Sequence, residues 1–229
     1  MRIIQSLIIV VIAIFSVSAI ANALPDDPHV SVTGSAILEV KPDQVTILFQ
    51  AKALEKNATL AKKSVDQQVE NLLINLPQAG FASQELQRAN LQIREEYQYI
   101  NKKRTLQGIR AVRELSYLLT DLNKVNLFLE TVLAADIESI QQMQYGLQSP
   151  KKWQLEVRQM AIQDSQAKAA NLAAAYQAKL GKIYTINYQQ HNVQPIMMRA
   201  MHDEAAGSTY QVKNIKLSDT VQATFILKP

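Results

Sequence analysis

Apolar and polar residues alternate along seven stretches of the chain, a period of two that predicts β-strands. The first two stretches, 29–40 and 44–56, flank Lys41-Pro42-Asp43, a break that predicts an antiparallel pair joined by a turn. Two later stretches flank a turn at 101–105 and predict a long hairpin. The seven predicted strands are residues 29–40, 44–56, 86–100, 106–119, 137–148, 182–190 and 215–227.

Three other stretches repeat their apolar residues every three or four positions, which predicts helices with one buried side. Residues 58–76 follow Asn57 and residues 122–135 follow Asp121, and both residue types cap helix N-termini well. The third predicted helix is the longest and is rich in alanine. The order β-β-α-β-β-α-β-α-β-β pairs strands locally and leaves helices to cover one face. We therefore predict an α+β fold of two layers, with a mostly antiparallel sheet and three helices.

The long predicted helix runs from Ser149 to Gly181. Ser149 provides an N-cap oxygen, Pro150 suits the first helical position, and Gly181 can adopt the left-handed conformation that ends a helix. A helix of about 31 residues is roughly 46 Å long, so it needs a long surface to pack on. Its inward side includes a row of mostly small residues, which lets the backbone approach a sheet closely. The residues predicted to lie on or beside this inward side are Leu155, Val157, Ala161, Ile162, Ser165, Ala169, Leu172, Ala173, Tyr176 and Leu180.

A second apolar row, spaced by seven residues, lies on nearly the opposite side of the same helix. It consists of Trp153, Met160, Ala167 and Ala174. One interpretation is a contact between the subunits of a homo-oligomer. The other is a solvated alanine face with Trp153 packed on a nearby loop. Arg158 falls within the inward side, so its charge must either extend past the edge or meet a carboxylate, and the first arrangement is the commoner one.

Residues 1–23 have the three parts of a secretory signal peptide. Arg2 is the positive start, residues 3–20 are mostly apolar, and Ala21-Asn22-Ala23 is a small-residue cleavage site. A membrane anchor is the alternative, but the apolar run is short for a span and the cleavage site favours removal. The chain has no cysteine, which suits an oxidising periplasm and excludes disulfides and a lipoprotein attachment site. We predict a periplasmic protein in which residues 24–229 form a single domain.

The charge balance is mildly basic, with 24 lysines and arginines against 20 acidic residues and a formal net charge of +4. Loss of Arg2 with the leader lowers this charge to +3. The densest basic cluster, Lys102-Lys103-Arg104, lies in a predicted hairpin turn, where solvated cations are ordinary. Nucleic-acid binding would need a wider basic face with stacking aromatic residues, so we predict no nucleic-acid partner.

Motifs of the common catalytic sites are missing from the sequence, which has no G-x-S-x-G, no Walker phosphate loop and no H-E-x-x-H. We therefore predict no enzyme activity and no cofactor. The candidate for a metal site is the segment 191–214, which has no periodicity and is predicted to be an irregular loop. It carries Met197, Met198, Met201 and His202, and thioethers with an imidazole suit copper. A disordered or partner-covered apolar loop would explain the same residues without a metal.

Several motifs resemble the SIMPL-domain family of secreted bacterial proteins, which includes periplasmic immunogenic and oxidative-stress-defence proteins. Val30-Ser31-Val32-Thr33-Gly34 followed by Pro42-Asp43 is similar to the start of that family's domain. Residues 108–122 resemble its G-Y-x-A…D-L strand, with Ile109 in place of tyrosine, and Leu180-Gly181-Lys182 matches the L-G-K after its alanine-rich helix. The resemblance implies a periplasmic, self-associating, non-enzymatic protein linked to envelope or oxidative stress. An association with the outer membrane is compatible with it.

Overall fold

Seven strands and three helices make up the part of the chain that this computed structural model describes, residues 26–100, 102–189 and 213–229. Their order is the predicted one, and the predicted α+β class is confirmed. Two short 3-10 turns, Ser83–Glu85 and Leu122–Lys124, precede the third strand and the second helix. The strands are β1 (His29–Val40), β2 (Gln44–Glu55), β3 (Leu86–Ile100), β4 (Lys103–Leu119), β5 (Ser139–Gly146), β6 (Lys179–Asn187) and β7 (Ile215–Lys228), and the helices are α1 (Ala58–Gln78), α2 (Val125–Leu133) and α3 (Pro150–Ala175).

The strands form two antiparallel sheets, one in the order β3-β4-β2-β5 and the other in the order β1-β7-β6. The predicted pairing of β1 with β2 is wrong, because β1 neighbours β7 while β2 lies between β4 and β5. The reason lies at Asp43, between the two strands. Its backbone N–H donates to the carbonyl of Gly146 at 3.1 Å, and its carboxylate accepts from the N–H of Gln148 at 2.6 Å. Asp43 therefore binds the end of β5 and the segment that follows it, instead of closing a hairpin turn.

The described chain divides into two compact units. The larger unit contains residues 35–161 and 213–220, and the smaller unit contains residues 26–34, 162–189 and 221–229. The four-stranded sheet, α1 and α2 belong to the larger unit. The elements β1, α3 and β7 each contribute residues to both units, whereas β6 belongs to the smaller unit.

The main core of the larger unit lies on one face of the four-stranded sheet. Alternate residues of β2 from Val45 to Ala51 are buried, as the alternation predicts, and Phe49 lies opposite Leu115 of β4. The apolar stripe of α1 packs on this face, with Leu72 fully buried. Phe128 of α2 fills the end of the core, where its ring lies edge-on to Phe81 with centroids 5.3 Å apart. Burial of such side chains supplies the main free energy of folding, about 2–3 kcal/mol for each large one.

Two smaller apolar clusters involve β1, α3 and β7. The cluster of the larger unit consists of Val40, Leu147, Val157, Ile215 and Leu217. The cluster of the smaller unit consists of Val32, Ala169, Ala223 and Phe225. In each cluster α3 contributes one buried residue of modest size, so the helix backbone lies close to its neighbours.

The C-terminus of α3 is set by Gln177, and the helix ends at Ala175, six residues before the predicted stop. Gln177 adopts the left-handed conformation with φ of 58°. Its N–H donates to the carbonyl of Ala174 at 3.0 Å, and the N–H of Ala178 donates to Ala173 at 2.9 Å. These two bonds form a Schellman motif, which glycine usually makes because left-handed backbone is unfavourable for other residues. A glutamine in this position explains why the sequence pattern placed the helix end too late.

Gly181, which was expected to end the helix, lies instead within β6. A Cβ atom at this position would lie 2.6 Å from the carbonyl oxygen of Ile226 in β7. This distance is shorter than any normal contact, so only glycine allows the two strands to approach here. This position therefore requires glycine because glycine has no side chain, not because its backbone is conformationally free.

α3 buries only a narrow row of residues. Five positions in steps of four, the predicted small-residue row, are at most 2% exposed: Val157, Ala161, Ser165, Ala169 and Ala173. Three larger residues that were predicted beside this row are exposed, Leu155 by 61%, Leu172 by 42% and Tyr176, just beyond the helix, by 81%. Four residues turn the helix by about 400°, so the buried row moves around the helix by about 40° at each step. A fixed inward arc therefore misassigns residues that lie away from the local contact line.

Candidate functional site

The predicted oligomer row on α3 separates into one packed residue and three exposed ones. Trp153 is half-buried and packs against the cluster of Val40, Leu147 and Val157, with the Lys152 ammonium 4.9 Å from its ring centroid. Met160 is 39% exposed, and Ala167 and Ala174 are exposed. The structure therefore places Trp153 in a core cluster, and the surface available on this row begins at Met160.

This separation follows from the geometry of the two rows. Residues spaced by seven drift backwards around a helix by about 20° per step, whereas residues spaced by four drift forwards by about 40°. The two rows are neighbours near Trp153 and Val157. They lie on opposite sides near Ala167, where Ser165 and Ala169 are buried. The exposed part of the row is thus the part farthest from the buried contacts.

A buried ion pair joins α3 to β7 within the larger unit. Asp219 has a side chain that is only 2% exposed, and the Arg158 Nε lies 3.3 Å from its carboxylate. The Gln154 side-chain amide donates to the same oxygen at 3.1 Å, and the Thr220 N–H donates to the other at 2.8 Å. Of the two arrangements that were considered for Arg158, the structure shows the carboxylate partner. The pair lies 61 residues apart in sequence, so no local pattern identifies it.

The β3–β4 hairpin carries an ordered set of charges. Arg110 donates to both oxygens of Glu96, at 3.0 and 3.2 Å, and this hydrogen bonding lowers the pKa of the Glu96 carboxyl below its ordinary value. Nearer the turn, the Tyr97 hydroxyl donates to Glu95, which raises the pKa of the tyrosine. The guanidinium carbon of Arg104 lies 3.6 Å from the centroid of the Tyr97 ring, a close cation–π contact. Both carboxylates therefore have partners within the hairpin.

Two depressions on the described part of the larger unit are lined by both polar and apolar residues or mainly by polar ones. One, of about 360 Å³, is lined by Phe81 and by the titratable residues Glu85, Tyr117, Asp121 and Lys124. Burial raises the pKa of Tyr117 above its ordinary value. Another, of about 440 Å³, is lined by polar residues of α1 and by Asp136. Neither lining is mainly apolar with a few converging polar groups, which is the usual character of a small-molecule site.

The candidate metal ligands Met197, Met198, Met201 and His202 lie outside the described residues, as does the segment 1–23. Among the residues that the structure does describe, no three histidine, aspartate or glutamate side chains are placed to hold a metal ion. The described helices also include none that is long and apolar enough to cross a membrane. His29 is the only histidine in the described ranges, and its Nδ1 lies 3.0 Å from the carbonyl oxygen of Asp27.

Comparison with known proteins supports the resemblance seen in the motifs. Residues 30–225 match the family model SIMPL, described as a protein of unknown function (DUF541). The chain is 34% identical over 215 residues to the uncharacterized protein YggE of Edwardsiella ictaluri, and this match covers 90% of each chain. It is 33% identical over 221 residues to the uncharacterized protein YggE of Escherichia coli K12, covering 94% of this chain and 90% of the relative. A family match over most of the chain, together with these relatives, shows that the protein belongs to the SIMPL family.

Proposed function

We propose that this SIMPL-family chain is a non-enzymatic periplasmic protein that self-assembles and contributes to protection of the cell envelope or against oxidative stress. The observation that carries the assembly is the exposed apolar surface of α3. The stress role is what the resemblance to the oxidative-stress-defence members of the family implies. The periplasmic location follows from the signal-peptide pattern of residues 1–23.

The large exposed apolar residues of α3 lie on more than one side of the helix. Leu155, Met160 and Leu172 are each at least 39% exposed. Single exposed apolar residues are normal on a protein surface, whereas several large ones on one helix offer apolar area to a partner. Because α3 buries only one narrow row within the described chain, its remaining surface is suited to contact with a second copy.

The outer strand β6 offers a second surface for assembly, in the smaller unit. It lies at the edge of its sheet, next to β7. Ile183, Tyr184 and Ile186 are each exposed by 44% or more. A long edge strand with exposed apolar side chains is a template for pairing with another chain unless something covers it. Self-assembly would cover this edge as well as α3.

The direct test is the native mass of the mature chain, residues 24–229, measured by light scattering after gel filtration. We expect a multiple of the chain mass. Met160→Glu combined with Ala167→Glu should lower that mass, because it introduces two charges into the exposed part of the row without disturbing a buried residue. The matched control is Gln159→Glu with Gln166→Glu, which adds the same charge at exposed positions about 100° away around α3.

A wild-type chain that is strictly monomeric at all concentrations would overturn the assembly. An equal loss of native mass in the control would show that added charge anywhere on α3 lowers the mass, and that the exposed part of the row is not the contact. The same variants test whether protection against stress requires assembly. A strain that lacks this protein should regain resistance to peroxide or envelope stress when it expresses the control, and should not regain it with the assembly-deficient variant.

A further inference from the structure

The far end of the β3–β4 hairpin is a surface separate from α3 and β6. Its described side chains between Glu95 and Gln107 are exposed or half-buried, so no core covers them. We define the hairpin end by six residues that share this exposure and carry aromatic, apolar or cationic groups. They are Tyr97, Tyr99, Lys102, Lys103, Arg104 and Leu106.

The strand register brings the aromatic and apolar members of the hairpin end to one face. Tyr97 pairs with Leu106 and Tyr99 pairs with Arg104 across the two strands. Tyr99 is 74% exposed and Leu106 is 51% exposed. The Arg104 guanidinium stacks on Tyr97, with 3.6 Å between its central carbon and the ring centroid. This face therefore combines two phenol rings, a leucine and a guanidinium at the surface.

The same end has a strongly positive charge. Residues 97–106 contain the consecutive cations Lys102, Lys103 and Arg104 and no acidic residue. The two acidic residues that precede them in β3 have partners within the hairpin: Glu96 pairs with Arg110, and Glu95 accepts from the Tyr97 hydroxyl and keeps its negative charge. Residues 95–110 contain four cations and two carboxylates, so this part of the hairpin keeps a net charge of +2.

We propose that the hairpin end binds the surface of a lipid bilayer that contains anionic phospholipid. Tyrosine rings favour the interface between headgroups and hydrocarbon, and leucine favours its apolar side. Lysine and arginine near an anionic bilayer gain attraction from its negative surface potential. The hairpin end presents these three elements together, on the part of β3 and β4 where no described side chain is buried. Its charge complements an anionic surface.

A second copy of the chain is a less suitable occupant of the same surface. Symmetric contact between two hairpin ends would bring together two sets of three cations, which repel each other. Nucleic acid would need a basic face wider than this cluster. The bilayer proposal rests on the periplasmic location proposed above, since that location provides a membrane, but it does not require self-assembly.

The test uses the full mature chain and sedimentation with vesicles of phosphatidylglycerol and phosphatidylcholine, compared with vesicles of phosphatidylcholine alone. We expect binding to the anionic vesicles that weakens as salt is raised. Replacing Lys102, Lys103 and Arg104 by glutamine should weaken binding on the order of a hundredfold, because each cation near the surface contributes roughly fivefold. Tyr99→Ser with Leu106→Ser should also weaken binding but leave its salt dependence unchanged.

The matched control replaces Lys41, Lys63 and Lys124 by glutamine, three exposed lysines of the same unit that lie away from the hairpin end. It should keep most of the binding. Equal binding to both kinds of vesicle, or equal binding by the triple hairpin variant, would overturn the proposal. If the wild type binds no vesicles and a hairpin variant changes the native mass, the hairpin end is a contact between subunits instead. Circular dichroism confirms that each variant is folded.

The two proposals fail separately. A monomeric wild-type chain that still binds anionic vesicles would overturn the assembly and support the hairpin end. An oligomeric chain that binds no vesicles would support the assembly and overturn the bilayer proposal. Cell fractionation tests the location on which the bilayer proposal rests, since a chain found only in the cytoplasm would overturn its physiological role.

Discussion

Asp219 is a charged residue in a series of inward-facing positions on β7. Its neighbours at Leu217 and Val221 are buried apolar residues, and its own side chain is 2% exposed. An unpaired carboxylate there would be very costly, because burial removes its hydration. Arg158 of α3 supplies the opposite charge, while Gln154 adds a hydrogen bond. The pair therefore compensates a charge that the fold buries.

We expect Arg158→Met to lower the free energy of unfolding by about 3 kcal/mol, because it leaves a buried carboxylate without its cation. Replacing both partners, Arg158→Met with Asp219→Leu, should cost about 1 kcal/mol or less, since an apolar pair needs no charge compensation. Urea unfolding of the single and double variants measures both values.

The matched control for this prediction is Lys216→Met, which breaks an ion pair with Glu39 whose side chains are 53% and 48% exposed. Water and salt screen such an exposed pair, so it contributes little to stability and this variant should unfold almost as the wild type does. Equal costs for Arg158→Met and Lys216→Met would show that the burial of Asp219 adds nothing to the stability of the fold.

Among the elements, the end of α3 and the start of β6 have residues that differ from those usual at such positions. Gln177 has the left-handed backbone at which glycine is usual, while Gly181 lies in a strand. We expect Gln177→Gly to raise the free energy of unfolding by about 1 kcal/mol, because it removes the left-handed penalty. Gly181→Ala should lower it by about 2 kcal/mol, because the added Cβ would meet the Ile226 carbonyl oxygen.

Thermal or urea unfolding checks both changes, and Gln166→Gly is the control. Gln166 is exposed in the middle of α3, where glycine should cost about 1 kcal/mol. If Gln177→Gly raises the free energy of unfolding and Gln166→Gly lowers it, the position of the glycine in the helix decides the effect. A destabilising Gln177→Gly would contradict the assigned helix end.

The elements also show how far periodicity alone could predict the fold. It predicted the alternation of β2 and the small-residue row of α3, because each depends only on which side of one element is covered. It did not predict the end of α3, because glutamine carries no local signal for a left-handed residue. It also misplaced Leu155 and Leu172, because the buried row of α3 moves around the helix and an average face does not.

For the whole molecule, the sequence pattern does not specify which strands pair with each other in the sheets. β1 and β2 alternate as well as any hairpin pair, yet they lie in different sheets because Asp43 binds the segment after β5. The candidate surfaces depend on the same kind of information. The Tyr97, Arg104 and Leu106 face exists only through the register of β3 with β4, which includes an irregularity after Glu96 that a sequence pattern does not specify.

Residues 1–23 determine whether the chain reaches its proposed compartment as a free protein or stays anchored to a membrane. If residues 1–23 are a cleaved signal peptide, the protein isolated from the periplasmic fraction should begin at Leu24, after Ala23, and its measured mass should be that of residues 24–229. Intact-mass spectrometry of the native protein checks this. Ala21→Arg with Ala23→Arg should block cleavage, because the cleavage site requires small residues, and the precursor should stay with the membrane fraction. A full-length wild-type chain in the membrane fraction would instead support the anchor interpretation of the same segment, and it would require the assembly and vesicle experiments to be repeated with residues 1–229.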